Sequence, residues 1–500
     1  MSLLTIALCL ILGFSPNDAM AFSSSEFSIP KREPNPIVIP QLSRDAVIYS
    51  STDPQFAAHS ARWSSSNAPS FSHVFVPANN HDIVLMLKYI TDRQLPMITQ
   101  GGGHGWSKTL GSIQNGILVN MEKFSQTIYD PTDQTMTIGG AVKTGALINA
   151  TDAVGREVPV ATCPCPGATN VLLGGGHARL QGKYGMVLDS AKSFNMVLAN
   201  GRSIEVSNSS HPDLFWAMRG AGQNFGVVTS TKLQTYPYDE AGGKYFSIDM
   251  IFADQALEEV VEILNKINQN QDPALTMFLV FAADATTIKP FITVNLVYAG
   301  SPTKGKAHAQ LFKKLNPPTY VEALLTAPEL PLLSGFGANI AACEGPAYRS
   351  LYSLYMRSLV PSSLRAAYTS YTGFIQANPN AAISSHLYEF YPHQMDGQRP
   401  EETAYANRGK NNILALISAI YTDASVADAA DAYGKMQRAA FNKVEAGGYE
   451  ELRIYQNYAL GDEDPRSYYG YEKWRLEKLK SVKKRYDPDN VFRGYHDIPL

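Results

Sequence analysis

Cysteine is scarce: 4 residues in 500, namely Cys9, Cys163, Cys165 and Cys343. So few cannot build a disulfide framework. Cys163 and Cys165 are separated by one residue, which is poor geometry for a bridge between them. Charge of one sign is also missing. The 42 basic and 45 acidic side chains leave a formal net charge of −3, which gives no support for a nucleic-acid partner. One basic cluster, Lys478–Arg485, reads as the solvated face of a terminal helix. The apolar run Leu3–Phe14 falls short of the roughly 20 residues that span a bilayer, so no membrane association is expected. Several site motifs are absent too. The chain has no G-x-x-x-x-G-K-[ST], no G-x-G-x-x-G turn, no H-E-x-x-H, no zinc-type Cys/His spacing and no G-x-S-x-G elbow. These absences exclude a P-loop, a dinucleotide Rossmann turn, a zinc site and a serine-hydrolase elbow.

The N-terminus reads as a secretory leader over residues 1–21, with an apolar core followed by Ala19-Met20-Ala21 as a cleavage site. Its removal takes Cys9 away and leaves three cysteines. The odd thiol must then pair, stay buried or be consumed by something else. Asn149 and Asn208 lie in N-x-S/T sequons, in keeping with a secreted glycoprotein. The chain is expected to be a monomer.

The length exceeds one ordinary domain of about 100–200 residues, so two domains sharing a cleft are expected. Residues 22–59 read as a Ser/Pro-rich arm. Residues 60–240 begin with a strand–helix–strand unit that delivers the chain into Gly101-Gly102-Gly103-His104-Gly105. Asn80 is read as the cap of its helix, and Asn200-Gly201 as a hairpin turn. From 241 to 470, strands followed by covering helices predict an antiparallel sheet with helices on one face. Residues 471–500 return to the first unit. The expected class is α+β.

Three glycine-rich stretches carry the functional signal. They are Gly101–Gly105, Cys163–His177 with Gly167 and Gly174-Gly175-Gly176, and Gly220–Gly226. Glycine lets backbone approach a ligand closely, and successive N–H groups can cradle phosphate oxygens. Three such loops in one domain exceed what turns alone require.

With Asp213–Gly220, Asn224-Phe-Gly226-Val227-Val and the ending Tyr486-Asp-Pro-Asp-Asn490-Val-Phe492, these stretches resemble one family. It is the FAD-linked oxidoreductases of the vanillyl-alcohol oxidase/para-cresol methylhydroxylase superfamily, in a fungal-type berberine bridge enzyme-like branch. The resemblance covers about residues 70–500. It implies a two-domain FAD-binding PCMH-type fold and covalent FAD, bonded through His104 to the flavin 8α-methyl carbon and through Cys163 to C6. Cys165 competes with Cys163 for the second bond. Gly101, Gly102, Gly103, Gly105, Gly167, Gly174, Gly175, Gly176, Gly226, Val227 and Asn457 join His104 and Cys163 as cofactor-binding residues. Gln100 stands where many members have Arg, and Pro166 where members carry an aliphatic side chain thought to gate oxygen. Oxidase and dehydrogenase therefore both stay open.

The implied reaction is a two-electron oxidation of a small molecule, a secondary metabolite by family context, with dioxygen as acceptor. A base is needed beside the ring: a tyrosine with a lowered pKa, or a carboxylate. The candidates are Tyr455 and Tyr458 in Tyr455-Gln456-Asn457-Tyr458, and Glu389 with Tyr391, which strand alternation places on one face. Rival readings are a hexose or oligosaccharide oxidase, a non-redox cyclase that keeps flavin as a structural element, and a binding protein without chemistry.

Overall fold

The computed structural model describes residues 37–395, 401–409 and 413–500. The proposed leader, Cys9 and most of the Ser/Pro stretch lie outside the described residues. Among the described residues, no helix is long and apolar enough to cross a membrane.

The first sheet contains β1 (Val47–Ser50), β2 (Phe71–Val76), β3 (Met97–Gln100) and β4 (Gly116–Asn120), in the order β1-β2-β4-β3. The stretch read as an arm thus ends as an edge strand, with β1 antiparallel to β2. Between β2 and β3 runs α1 (Asn80–Asp92), whose cap is Asn79 rather than Asn80. Asn79 accepts from Asp82 N, and the Asp82 carboxylate answers the Asn79 N–H. The same carboxylate takes Ser43 N at 2.8 Å and Ser43 Oγ at 2.7 Å, which ties the N-terminal segment to the helix start.

The second sheet is built from β5 (Thr127–Asp130), β6 (Thr135–Gly139), β8 (Ala191–Val197), β9 (Ser203–Ser207) and β10 (Val227–Gln234), in the order β5-β6-β10-β8-β9. A small ribbon joins β7 (Arg156–Glu157) to β11 (Tyr236–Pro237). The predicted hairpin joins β8 to β9, with Gly201 at φ 81° in the turn. Three helices pack here: α2 (Thr144–Asp152), α3 (Ala168–Leu173) and α4 (Pro212–Ala221).

The third sheet has seven antiparallel strands. They are β12 (Lys244–Phe252), β13 (Leu275–Ala283), β14 (Pro290–Ala299), β15 (Thr319–Thr326), β16 (Tyr348–Met356), β17 (Ser385–Phe390) and β18 (Ile413–Tyr421). Their order is β15-β12-β14-β13-β17-β18-β16. A layer of helices covers it: α5 (Leu257–Asn268), α6 (Pro302–Lys313), α7 (Pro361–Ala377) and α8 (Ala427–Phe441). On α5, Leu257, Val260, Val261, Leu264 and Ile267 form one buried stripe at helical spacing. Each such side chain contributes about 1.5–3 kcal/mol on burial. On β17, alternation separates two environments. Tyr388 meets Phe441 of α8 with ring centroids 5.9 Å apart, while Glu389, on the other face, meets Tyr391 and lies near Arg179 and Tyr458.

The chain ends in α9 (Lys473–Tyr486) and a tail that packs on the third glycine stretch. Its basic cluster is not simply a solvated face. Lys483 is fully buried, 2.7 Å from the Asp487 carboxylate, and also donates to Asn224 O and Phe492 O. At the outer end, Arg485 and Tyr486 bond Asp213 on α4.

Candidate functional site

Two of the glycine stretches meet backbone to backbone. A Cβ on Gly101 would lie 2.5 Å from Asn170 Oδ1 and 2.7 Å from Gly140 O. A Cβ on Gly102 would overlap the backbone of Gly167, and real side chains do not tolerate such distances. Gly167 starts α3, and Pro166 O accepts from Thr144 N at 2.9 Å, docking this loop on the start of α2. The third stretch enters β10, where Val228 O sits against Gly140 and Val227 is fully buried. Gly226 packs against Val197 on β8. Gly103 takes φ 71°, and Gly105 O accepts from Arg62 Nη2 at 2.7 Å.

The second loop is clamped from the far end of the chain. Gly175 and Gly176 take φ of 121° and 87°, conformations open to glycine and costly for other residues. Tyr455 Oη accepts from Gly176 N at 3.1 Å and His177 N at 3.3 Å. Asn457 Nδ2 donates to Val171 O and to Tyr455 Oη, both at 2.8 Å. A Cβ on Gly174 would overlap the Asn457 amide.

His104 stacks on Trp63, centroids 5.0 Å apart and 19° from parallel. Its pKa is pulled down to about 4 by burial first, then by Lys143 and Arg349, so the imidazole is neutral and its lone pair is free to form a bond. Trp63 in turn donates from Nε1 to Ala342 O at 2.8 Å, one residue before Cys343. Cys343 is disulfide-bonded to Cys165. This corrects one expectation: Cys165 has no thiol to offer a flavin. The odd thiol is Cys163, with its Sγ 3.8 Å from Cys343 Sγ. Burial pushes its pKa up, so it rests as a thiol. A ladder of rings runs from His104 through Trp63 and Trp106 to Tyr458, with centroid steps of 5.0, 5.6 and 5.6 Å. Among the described residues, Trp106 Nε1 is buried without a hydrogen-bond partner.

Glu389 and Tyr391 share a face as alternation predicts, and Tyr391 Oη donates to Glu389 Oε1 at 2.9 Å. Oε2 is buried and meets no partner at full hydrogen-bond geometry among the described residues, although the Tyr458 hydroxyl is near enough to act on the carboxyl. Burial raises the carboxyl to about 7; the Tyr391 bond, Arg179 and the nearby Tyr458 oppose this only in part. The tyrosines behave contrary to the lowered pKa expected of a base. Burial drives Tyr455 up to about 12 and Tyr391 and Tyr458 well above the ordinary phenol value.

Sequence reasoning passed over several neighbours. His177 stacks on Tyr391 at 4.9 Å, and its Nε2 lies 2.6 Å from Tyr355 Oη. Tyr355 Oη bonds Tyr405 Oη, and the Tyr405 ring lies against Gly175. His177 directly follows the glycine triplet, a signal that was available. Tyr355 and Tyr405 carry none.

Comparison with known proteins gives these contacts a family. The FAD binding domain family matches residues 71–207, and the Berberine and berberine like family matches residues 454–499. The FAD-linked oxidoreductase tazG of Aspergillus terreus is 31% identical over 92% of this chain and 94% of its own length. The chain belongs to the berberine bridge enzyme-like FAD-linked oxidoreductases. Among solved structures, the BBE-like 1 protein of Physcomitrella patens superposes with a TM-score of 0.77 at 19% identity, over 91% of this chain and 96% of that one. The xylooligosaccharide oxidase of Myceliophthora thermophila gives 0.76 at 19%, over 90% and 96%. At such identities the likeness speaks for the α+β fold alone.

This oxidoreductase therefore uses FAD and acts on a small molecule, and its loops fit the cofactor. Glycine stands at Gly101, Gly102 and Gly174, where a Cβ would block close approach of the loops, and among the described residues Trp106 Nε1 is a buried polar atom without a partner. Gln100 ends β3 with its amide nitrogen 3.3 Å from Ala61 O.

Proposed function

We propose that this oxidoreductase bonds FAD through His104 and oxidises a small organic molecule of secondary metabolism, with Glu389 taking the substrate proton and dioxygen taking the electrons. One observation carries the catalytic assignment: Glu389 is a buried carboxyl with one oxygen held by Tyr391, Tyr458 close to it, and a pKa near 7. A base is most useful when its pKa lies near the working pH. Bound FAD supplies a two-electron acceptor for the hydride. The chain's own residues do the rest. Tyr391 fixes the carboxylate, and the His177–Tyr355–Tyr405 bonds fix Tyr391 through the stacked imidazole. Tyr455 and Asn457 keep the Gly174–Gly176 turn in shape, and Tyr458 and Trp106 wall the site.

His104 suits the first tether because its imidazole is neutral. Cys163 suits the second by position, although its buried thiol needs a proton acceptor before it can bond. On this reading residues 60–240 with 471–500 bind the cofactor, and 241–470 bind substrate. The exposed Asn149 and Asn208 support a secretory route with glycosylation.

The test is an absorbance spectrum of purified protein before and after acid precipitation. Flavin is expected to stay in the pellet of the natural protein and to pass into the supernatant in the His104→Ala, Cys163→Ala double variant. Flavin that remains in the double variant's pellet overturns both tethers. Glu389→Gln should lower the rate of anaerobic flavin reduction by about 100-fold or more, the usual scale of general-base catalysis.

A further inference from the structure

Arg179 has no assigned role, and its surroundings are unusual. Its side chain is 7% exposed, and among the described residues it makes no ion pair. Nη2 donates to Asn295 Oδ1 at 3.1 Å, and the guanidinium lies 4.6 Å above the Phe278 ring. Nη1 is buried with no hydrogen-bond partner among the described residues. The carboxylates of Asp249 and Glu389 act on it through space without bonding to it. A cation withdrawn from water costs several kcal/mol unless an anion meets it at bonding distance. The chain has brought a guanidinium to the seam between the end of the second glycine stretch and the third sheet, and left Nη1 unmet.

The same residue lines a cleft at that seam. Val160, Ala161 and Thr162, which lead into Cys163, form one wall, and Tyr245 and Leu330 form another. The volume is about 50 Å³, room for a carboxylate or a few waters where one water needs about 10–15 Å³. The other charged side chains there are already engaged. Arg156 bonds Thr235 and Gln134, and Glu157 takes the hydroxyls of Tyr184 and Tyr245. Arg179 thus borders this cleft and also lies within electrostatic reach of Glu389 and Tyr391, which do not line it.

We propose that Arg179 is the anion receptor of the substrate site, so that the small molecule oxidised here carries a carboxylate or an equivalent oxyanion, bound by the free edge of the guanidinium. A planar fork that donates to two oxygens gives orientation as well as attraction. The acid end sits at Arg179 and the proton to be removed lies toward Glu389. This rests on the flavoenzyme reading above and adds the substrate's charge to it.

The probe is benzoate, titrated into the flavin-containing holoenzyme while the visible flavin spectrum is recorded, with benzamide as its uncharged match. Benzoate is expected to shift the spectrum saturably, and benzamide to bind at least 10-fold more weakly. Arg179→Gln should weaken benzoate by about 10–100-fold and leave benzamide unchanged, in line with loss of a charge-assisted bond. Arg179→Lys, which keeps the charge and loses the fork, should fall between. Equal binding of the two probes, or no shift with benzoate, overturns the proposal, as does an Arg179→Gln protein with altered flavin colour and unaltered benzoate affinity. The benzoate–benzamide contrast in the natural protein decides even where the variant fails to accumulate. A colourless preparation would instead sink the flavin reading beneath it.

Discussion

Glu389 can be tested without knowing the substrate. Its carboxyl is displaced from 4.5 to about 7, chiefly by burial. At about 1.36 kcal/mol per unit, a displacement of that size is worth about 3 kcal/mol. The folded protein grips the proton more tightly than the unfolded chain does. The stability this group contributes is therefore complete below about 4.5 and is lost as pH rises through about 7. Glutamine keeps the shape and removes the titration. Unfolding by urea, followed at pH 5 and pH 8 for the natural protein and Glu389→Gln, should show the natural protein losing up to about 3 kcal/mol more than the variant across that interval. An infrared titration gives a second reading. A protonated carboxyl band should fade with a midpoint near 7 and be missing from the variant. Parallel pH slopes in the two proteins, with no band that glutamine removes, would refute the reasoning.

Other outcomes follow from the same contacts. The Cys165–Cys343 bond closes 178 residues of chain, so Cys343→Ser should cost about 2–5 kcal/mol, read as a lower unfolding midpoint that reductant no longer changes. Lys483→Met leaves Asp487 buried without its cation and should cost about 3–5 kcal/mol, while the Lys483→Met, Asp487→Leu pair recovers part of that loss; a double-mutant cycle in urea checks it. Gly174→Ala collides with the Asn457 amide, and the purified variant should carry much less flavin per chain. Adding Asn457→Gly should restore part of it.

What could be read from the sequence was local. Glycine stretches, the Asn-Gly hairpin and strand alternation at Glu389 and Tyr391 each depend on a few adjacent residues, and each lies where its spacing points. Less visible were features set by burial or by distant partners. Strand β16 reads poorly because almost every residue in Tyr348–Met356 is buried, so no polar face alternates with an apolar one. Lys483 looked like surface because its partner, Asp487, and its depth are matters of packing. The pairing of Cys165 with Cys343 crosses 178 positions and leaves no local mark. The tyrosine pKa values moved opposite to the catalytic expectation for the same reason: whether a phenol is activated or silenced depends on the dielectric around it.

The clamp from Tyr455 and Asn457 onto the second glycine loop has a consequence for biosynthesis. Its bonds join positions 279 and 286 residues apart, and Lys483 adds another to Asn224 across 259. A ribosome that has made the whole glycine-rich half has therefore not yet made the pieces that set its shape. The shape of these loops depends on residues 455–483, and a chain cut after residue 450 should carry much less flavin than the intact chain however well its first half folds.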